Sequence, residues 1–521
     1  MEDAWRYSNS ILALLLLLLL LALALKLLPL RGRTQRRRNL PPYPSPPLPI
    51  IGHLHLLQKP FHRTLHRIHE RSGPIFSLQF GNQLVVVVSS LSAASECFGK
   101  NDVVFANRPK LSAGKYFNYD HTGITAAPYG GHWRNLRRVA TLELFSSARL
   151  NAFLGVRKDE VGVLMRRLHR RTAAGGTAGF VKVELRPLLS ELSLNIIMRM
   201  VAGRGYFAEG AESEEAGDFR ELVREIAQLG GVSNPGDFLP LLRWIDYLGV
   251  KKKLGRVFRR ADLFIQGLID EHRRDSEDRN TMIDHLLQMQ QSEPQYYTDK
   301  IIKGLVMVML LAGTDTTSVT IEWAMSLLLN NPAALQKATA EVDGQVGQDR
   351  ALEESDSPNL NYLQCIVLET LRLHPSVPLL LPHFSSDECR VGGYDIPRFT
   401  ILLVNAWSIH RDPAAWDEPL DFKPERFEGE GEMRNGVGKV VAFGLGRRSC
   451  PGAGMAQRVV ALALGSLIQC FDWERVGGVA VDLTEGTGLT MPKAVPLEAN
   501  CRARQIMSEV YPAGVNPSGG N

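Results

Sequence analysis

The longest apolar stretch in the sequence lies near the N-terminus. Residues 11–30 are almost entirely leucine and alanine, interrupted only by Lys26 and Pro29. A helix over this stretch would be about 30 Å long, which matches the apolar core of a bilayer. Five arginines follow within eight residues, so the charge pattern places the rest of the chain in the cytosol. The alternative, a cleaved signal peptide, fits less well for two reasons. The apolar run is longer than the core of a typical signal peptide, and the positive charge follows the run instead of preceding it. We therefore predict a membrane anchor over residues 1–30.

The next segment is basic and then rich in proline. Six of the nine residues 41–49 are proline, which disfavours a helix or a central strand and favours a stiff extended spacer. The alternative is a proline-rich ligand for another domain. The preceding anchor favours the spacer, so residues 31–52 are predicted to be a hinge between the membrane and a globular body.

The remaining pattern is mostly of helical spacing, broken at glycine and proline. Two short apolar runs, 75–80 and 84–89, flank Gly81 and Asn82 and predict a pair of strands. No long polar linker interrupts residues 53–505, which predicts one mainly helical domain with a small β region. Residues 506–521 are rich in glycine, proline and serine, so we expect a disordered tail there.

One helix stands out in this pattern. Residues 298–330 predict a helix of about 32 residues, capped by Thr298 or Asp299. Residues 304–312 are apolar on every side, which predicts complete burial of that part. The following residues 313–317, Gly-Thr-Asp-Thr-Thr, are poor helix formers and carry a charge. Poor helix formers and a charge inside a core helix indicate either a functional site or a hydrogen-bonded kink that has no chemical role.

Composition and charge narrow the class of protein. The 521 residues carry a net charge of +5 and no basic stripe interleaved with aromatic residues, so nucleic acid is not an expected partner. The cysteines contain no CxxC pair, which argues against a disulfide framework or a structural zinc site and favours a reducing compartment. They are Cys97, Cys365, Cys389, Cys450, Cys470 and Cys501.

Cys450 is the candidate for metal chemistry. It lies in the glycine-rich loop FGLGRRSCPG, residues 443–452, directly after two arginines and a serine. Arg447 and Arg448 are expected to help ionise its thiol, and the glycines let backbone amides approach the sulfur. A lone thiolate does not suit tetrahedral zinc but fits a metal whose other positions belong to a cofactor, such as haem iron. The alternative is a structural cysteine in a turn.

Two further side-chain groups are predicted from spacing. Glu369 and Arg372 share a helix face, and Arg426 in a distant turn could join them as a buried ion network with a structural role. Trp133 and Arg137 lie four residues apart, so on a helix both can point at one carboxylate. The alternative for the second pair is a surface arginine stacked on a tryptophan.

The loop resembles the haem-binding loop of the cytochrome P450 monooxygenases. Phe443, Gly446, Arg448, Cys450 and Gly452 fill the pattern FxxGxRxCxG. The segments WRNLR, AGTDTT, ETLR and PERF are also similar to that family, in its order and spacing. NPGDFLP, ECRVGGYDIPR and AWSIHRDP resemble the plant microsomal branch that contains the isoflavone hydroxylases. The resemblance covers nearly the whole chain, to about residue 503.

The resemblance implies a cytochrome P450 fold, a single triangular helical domain with a small β region, and haem b (iron protoporphyrin IX) as cofactor. Cys450 would be the axial ligand of the iron. Trp133, Arg137, His383 and Arg448 would hold the haem propionates, and Phe443 would shield the sulfur. The implied haem-binding residues are Trp133, Arg137, His383, Phe443, Gly446, Arg448 and Gly452.

On the opposite side of the haem, Thr316 would hydrogen-bond the reacting oxygen and Asp315 would supply protons. A break of the helix near Gly313 would make room for O₂. The substrate would be a hydrophobic, aromatic plant metabolite of the phenylpropanoid or flavonoid type, or a xenobiotic. The implied substrate contacts are Tyr119, Ala312, Gly313, Val377, Leu380 and Leu489.

The resemblance also implies partners and a location. Electrons would come from an NADPH-dependent cytochrome P450 reductase, because the sequence has no nucleotide-binding glycine motif of its own. The microsomal members imply a single-pass protein of the endoplasmic reticulum membrane with its catalytic domain on the cytosolic face.

Two other functions fit the same loop. One is an oxygen-independent haem-thiolate isomerase or dehydratase, which needs neither O₂ nor a reductase. The presence of both Asp315 and Thr316 argues against it, since such enzymes usually lack the acid–threonine pair. The other is an inactive, membrane-anchored haem-binding protein.

Overall fold

The computed structural model of the chain describes residues 39–511, apart from short internal segments, together with five leucines between residues 14 and 19. Those five leucines are helical and exposed. The rest of the predicted anchor, the basic part of the predicted hinge and residues 512–521 lie outside the described residues. The internal segments outside the description are 175–178, 208–213, 231–233, 240–241, 243–245, 247–248, 276–279 and 430–437.

Helices make up most of the described chain. The α-helices are α1 (Phe61–Ser72), α2 (Leu91–Phe98), α3 (Asp102–Phe105), α4 (Ser112–Phe117), α5 (Gly131–Arg138), α6 (Ser147–Ala152), α7 (Leu154–Ala174), α8 (Arg186–Ala202), α9 (Glu214–Gly230), α10 (Val250–Arg274), α11 (Met282–Ser292), α12 (Asp299–Asn330), α13 (Pro332–Gln345), α14 (Asn361–Leu373), α15 (Ala406–Ile409), α16 (Ala453–Cys470) and α17 (Ile506–Glu509). Short 3₁₀ turns include Pro424–Phe427 and Gly446–Arg448, and a π-helical turn, Val139–Leu144, extends α5.

The strands form three small sheets. The largest has the order β1-β2-β7-β4, with β2 and β7 parallel and the other pairs antiparallel. The second has the order β3-β9-β8, and the third pairs β5 with β6. The strands are β1 (Ile75–Phe80), β2 (Gln83–Val88), β3 (Val181–Glu184), β4 (His383–Phe384), β5 (Cys389–Val391), β6 (Tyr394–Ile396), β7 (Ile401–Val404), β8 (Phe471–Glu474) and β9 (Glu498–Ala503).

The predicted strand pair is confirmed as the β1–β2 hairpin. Its turn lies at Gly81, where φ is +57°, a backbone conformation that glycine adopts without a steric penalty. The described part of the predicted hinge lies along this hairpin. The amide of Ser77 donates to the carbonyl of Pro42 at 2.8 Å, so the proline-rich segment docks on the body of the protein.

Helix α12 runs through the middle of the helical part and packs against α8, α10, α14 and α16. The prediction of a helix over about 32 residues with Thr298 as its N-cap is confirmed. Helices α12 and α16 are long and apolar enough to span a bilayer, but 67% of the most apolar window of each is buried inside the protein. Both are therefore core helices of the domain.

The predicted break in α12 near Gly313 is wrong, because the helix continues through this position. The hydroxyls of Thr314 and Thr316 donate to the carbonyls of Leu310 and Ala312, one turn earlier. These bonds satisfy the polar side chains without interrupting the helix. The prediction of burial on every side is also wrong at Ala312, which is exposed in the middle of this core helix.

The C-terminal part of the domain extends further than predicted. Residues 506–509 form α17, and both Ile506 and Met507 are fully buried against α7 and α16. The expectation of a loose tail is therefore wrong for residues 506–511. The two apolar side chains bury enough surface to dock the helix, although the residues after them are typical of a tail.

Candidate active site

The Cys450 loop is closed by its own backbone. The amide of Cys450 donates to the carbonyl of Phe443 at 2.8 Å, and α16 begins three residues after the cysteine. Gly446 has a φ of +66°, and a Cβ at this position would collide with the carboxylate of Asp102. The loop therefore requires glycine here for both conformation and space.

The thiol of Cys450 lies among groups that act on its charge in opposite directions. The residue is exposed, yet the surrounding protein raises the pKa of the thiol by desolvation. The amide of Gly452 and the positive charge of Arg137 lower that pKa. Arg137 also donates to the carbonyl of Ser449, at 2.5 Å. The structure thus surrounds the sulfur with a backbone donor and one nearby cation.

The two arginines beside Cys450 in sequence do not act as predicted. Arg447 forms an ion pair with Asp102 at 2.9 Å. Arg448 donates to the carbonyl of Ala106, which follows α3, and to the carbonyls of Ile124 and Ala127, which precede α5. The prediction that these two side chains ionise the thiol is therefore corrected in favour of Arg137, which is the arginine whose charge lowers the pKa of Cys450.

Arg448 belongs to a half-buried group of arginines, of which the sequence analysis missed Arg108. Arg108 lies next to it and donates to the carbonyls of Leu381 and Pro382 at 2.7 and 2.8 Å. Burial and the charge of Arg448 lower the pKa of Arg108 to about 9, while burial and Arg137 lower the pKa of Arg448 to about 10. The Nε atom of Arg108 is buried and has no partner among the described residues.

No described carboxylate forms an ion pair with Arg108, Arg137 or Arg448. Arg448 repels both Arg108 and Arg137 in a poorly solvated place, so a bound anion would lower the electrostatic energy of the three guanidiniums. Arg108 was missed because its neighbours Asn107 and Pro109 carry no distinctive pattern. Only the folded arrangement brings it to Arg448.

Trp133 and His383 lie at the edge of the same group. The indole Nε1 of Trp133 donates to the carbonyl of Ile124 at 3.1 Å, and the guanidinium of Arg448 lies 4.3 Å from the centre of its ring. His383 Nδ1 donates to the carbonyl of Phe105 at 2.8 Å. Burial, Arg108 and Arg448 hold the pKa of His383 well below its usual value. The neutral ring therefore offers Nε2 as an acceptor rather than as a second donor.

Asp315 and Thr316 are adjacent on α12 but do not bond each other. The hydroxyl of Thr316 donates to the carbonyl of Ala312 at 2.7 Å. The carboxylate of Asp315 accepts a hydrogen bond from the hydroxyl of Thr490 instead. Burial raises the pKa of Asp315, while Thr490 and Arg186 lower it. An acid and an alcohol thus stand on the helix beside the exposed Ala312.

The structure brings Glu369, Arg372 and Arg426 together. Arg372 donates to both oxygens of Glu369 at 2.7 and 2.8 Å, and Arg426 donates to the same carboxylate at 3.0 Å. Arg372 also donates to the carbonyl of His410, whose Nε2 accepts from the amide of Val441 at 2.8 Å. This buried chain of bonds connects α14 with the segment that enters the Cys450 loop.

The residues expected to contact substrate occupy different environments. Tyr119 is buried and its hydroxyl donates to Asp262 at 2.8 Å, so that hydroxyl already has a partner. Leu380 is buried with a φ of +51°, a strained backbone for leucine. Gly313 lies where a Cβ would collide with Ile197 of α8, which explains glycine by helix packing. Ala312 and Leu489 are exposed, and Val377 is half-buried.

In the described part of the chain, no three His, Cys, Asp or Glu side chains are placed to hold a metal ion. Metal binding at Cys450 would accordingly need other ligands from a cofactor.

Comparison with known proteins adds a family to this geometry. The cytochrome P450 family model matches residues 41–497. Among curated proteins, the chain is 55% identical to cytochrome P450 81Q32 of Catharanthus roseus, over 92% of this chain and 94% of that protein. It is 51% identical to an isoflavone 3′-hydroxylase of Medicago truncatula, over 92% and 96%. It is 53% identical to a (+)-piperitol/(+)-sesamin synthase of Sesamum radiatum, over 90% and 92%.

The fold agrees with a solved structure. A zebrafish cytochrome P450 structure with abiraterone is similar with a TM-score of 0.71 and 25% sequence identity. The similarity covers 85% of this chain and all of the zebrafish chain.

Proposed function

The chain belongs to the cytochrome P450 family, as a monooxygenase related to the plant isoflavone hydroxylases, and we propose that it oxygenates a hydrophobic aromatic plant metabolite. The observation that carries the proposal is the position of Cys450. It is an exposed cysteine in a glycine loop, with the Gly452 amide and Arg137 as the groups that favour its thiolate.

The residues present fit haem b. Cys450 would supply the thiolate ligand of the haem iron. Arg108, Arg137 and Arg448 form no ion pair with the described carboxylates, so the two propionate groups would supply the missing negative charge. His383 would join them if the added negative charge raises its pKa enough to protonate the ring. The Gly452 amide lies close to the sulfur, and Gly446 provides the turn that leads to it.

When bound, the haem supplies the activation of O₂, and the protein supplies position, protons and exclusion of water. Asp315 would take up a proton and pass it on toward the hydroxyl of Thr316. Thr316 would turn its hydroxyl from the carbonyl of Ala312 toward the reacting oxygen. The desolvated position of Asp315 suits this role, because a raised pKa brings the carboxyl closer to proton exchange at neutral pH.

Electrons would come from an NADPH-dependent cytochrome P450 reductase, as the family requires an external redox partner. The leucine-rich N-terminus and the following arginines support a single-pass anchor in the endoplasmic reticulum membrane. This arrangement would place the catalytic domain on the cytosolic face, where NADPH and a reductase are available.

The relatives support an aromatic phenolic substrate. An isoflavone hydroxylase and a (+)-piperitol/(+)-sesamin synthase are 51% and 53% identical to the chain, respectively. We therefore propose a phenylpropanoid or flavonoid substrate and either hydroxylation or ring closure between neighbouring oxygens as the outcome. The exposed apolar residues Ala312 and Leu489 would contact its aromatic rings.

The test is reconstitution of the anchored protein with a plant reductase, NADPH and a panel of isoflavones, flavones and lignans. We expect product formation that depends on both NADPH and O₂. The Thr316→Ala variant should consume NADPH but release peroxide in place of product. Turnover without O₂ would contradict the proposal, and unchanged coupling in the Thr316→Ala variant would remove the proposed proton path.

A further inference from the structure

Thr490 forms a hydrogen bond that the proposed chemistry has not used. Its hydroxyl reaches from a turn near the C-terminus to α12 and donates to Oδ2 of Asp315. The other carboxylate oxygen, Oδ1, accepts no hydrogen bond from the described residues. One oxygen of the acid is thus fixed and the other is left for water.

The turn that carries Thr490 is rigidly attached to α12. It is closed by a β-bridge between Glu485 and Lys493. The next residue, Met491, donates its amide to the carbonyl of Ser376 and accepts the indole N–H of Trp323, both at 2.8 Å. These bonds fix the backbone next to Thr490 on two sides, so the hydroxyl is held at Asp315 by more than its own bond.

Ser376 holds the backbone of Thr316, the residue that follows Asp315 on α12. Its hydroxyl donates to the backbone carbonyl of Thr316 at 3.1 Å and also bonds the hydroxyl of Thr320 at 2.8 Å. The turn near the C-terminus and the turn after α14 therefore brace the same stretch of α12 from outside. This bracing includes the turn of α12 that carries the acid and the alcohol.

The charged groups around Asp315 come from three elements. Arg186 of α8 acts on it directly and lowers the pKa of the carboxyl. Arg186 is itself paired with Glu322 of α12 at 3.0 Å and donates to the carbonyl of Lys493 at 2.8 Å. Its side chain is 29% exposed, so this group of charges leads from the acid toward the surface.

We propose that Thr490 is a positioning residue for proton delivery by Asp315. The proposal rests on the proposed function, in which Asp315 passes protons toward Thr316. The hydroxyl can donate to Oδ2 of the carboxylate and also to Oδ2 of the carboxyl protonated at Oδ1, more weakly in the second case, so the contact persists in both protonation states. Thr490 thereby holds Oδ2 while Oδ1 exchanges protons. Each proton that leaves Asp315 is replaced by one from water at Oδ1.

The competing role for Thr490 is structural. It could simply tether the turn that presents Leu489, without any part in proton transfer. Variants of Thr490 and two measurements on them distinguish the structural role from the role in proton transfer. Thr490→Val keeps the shape but removes the hydroxyl, and Thr490→Ser restores the hydroxyl. Thr484→Val is a matched control, since Thr484 donates to Asp482 at 2.7 Å on the same segment but away from α12.

The first readout needs no turnover. The infrared band of the protonated Asp315 carboxyl, identified as the band absent in Asp315→Asn, is titrated in the resting holoenzyme. Loss of the Thr490 bond should raise the pKa of Asp315, because the donated bond stabilises the carboxylate. We expect this upward shift in Thr490→Val and no shift in Thr490→Ser or Thr484→Val.

The second readout is product formed per NADPH. We expect Thr490→Val to lower it on the order of tenfold, the lower limit for one hydrogen bond to a charged group, with substrate affinity unchanged. Adding Thr490→Val to Asp315→Asn should have no further effect. If Thr490→Val does not retain haem, Thr490→Ala carries the same test.

Three results would overturn the proposal. One is an unchanged titration and coupling in Thr490→Val. Another is a loss in Thr490→Ser as large as in Thr490→Val. The third is a change in substrate affinity alone in Thr490→Val, which would show that Thr490 only tethers the turn that carries Leu489. If Asp315→Asn itself leaves coupling intact, the proposed function of Asp315 fails, and the Thr490 titration still reports whether the contact exists.

Discussion

Arg137 donates to the carbonyl oxygen of Ser449 at 2.5 Å, and its positive charge lowers the pKa of the adjacent Cys450 thiol. One side chain on α5 thus fixes the backbone that enters Cys450 and also favours the charged form of its sulfur. Desolvation acts in the opposite direction and raises that pKa. Because these effects oppose each other, loss of Arg137 would raise the pKa of the thiol and disfavour the thiolate.

We expect Arg137→Gln to raise the pKa of the Cys450 thiol. The thiolate-type carbon monoxide spectrum of the reduced protein should then convert to the neutral-thiol type at a higher pH than in the wild type. The measurement is that spectrum across a pH series, with the exposed Arg134→Gln on the same helix as control. An identical pH profile in both variants would show that Arg137 does not act on the thiol.

Arg108 should be needed for cofactor retention. Replacing it with Gln removes one half-buried cation that the described part of the protein leaves without an acidic partner. We expect a lower ratio of haem to protein after purification and faster loss of haem to an acceptor protein. Arg390→Gln on β5 is the control, because this arginine is 72% exposed. Equal haem retention in the two variants would contradict the assignment.

Removing Glu369 should destabilise the fold severely. Glu369→Gln leaves Arg372 and Arg426 without their counter-charge, and Glu369 and Arg372 are fully buried. Breaking a buried ion pair in this way costs about 3–5 kcal/mol in the free energy of unfolding.

The matched control for this measurement is Glu498→Gln, which breaks the exposed pair with Lys182 at 3.2 Å. It should cost no more than about 1 kcal/mol. Denaturant unfolding of both variants measures the difference. Similar losses in the two would mean that the buried network contributes no more than a surface pair.

Glu485 should make stability depend on pH. Burial alone raises the pKa of its carboxyl, but hydrogen bonds from His62 and Arg63 outweigh burial and hold the pKa far below the usual range. The stability that it contributes is thus fully present above the pKa of an unfolded Glu, about 4.3. It is lost as the pH falls toward the lower pKa of the folded state.

The measurement is the unfolding free energy of the wild type minus that of Glu485→Gln. This difference should be constant from pH 7 down to about 4.5 and should shrink below it. A difference that grows on acidification would have the wrong sign for a carboxylate stabilised in its charged form.

The elements that the sequence predicted well depend on local signals. Helix α12 begins after Thr298, ends before Pro332, and is apolar over many turns, so capping and periodicity specify it. The β1–β2 hairpin depends on Gly81 between two apolar runs. In both cases the interactions that decide the structure lie within a few residues of each other.

The site was predicted less completely because its contacts join distant parts of the chain. Arg447 and Arg448 are neighbours of Cys450 in sequence, but the tight turn at Gly446 directs them elsewhere, and Arg137 acts on the sulfur instead. Arg108 and Thr490 lie 340 and 175 residues from the groups that they approach, which are Arg448 and Asp315. No local pattern predicts such pairs.

The central claim is that Cys450, as a thiolate, holds the iron of a haem. The most direct test is the carbon monoxide difference spectrum of the reduced, membrane-bound wild type beside Cys450→Ser. We expect the strongly red-shifted Soret band of a thiolate-ligated haem in the wild type and its absence in the variant. A folded wild type without a haem band, or a red-shifted band that survives in Cys450→Ser, would contradict it.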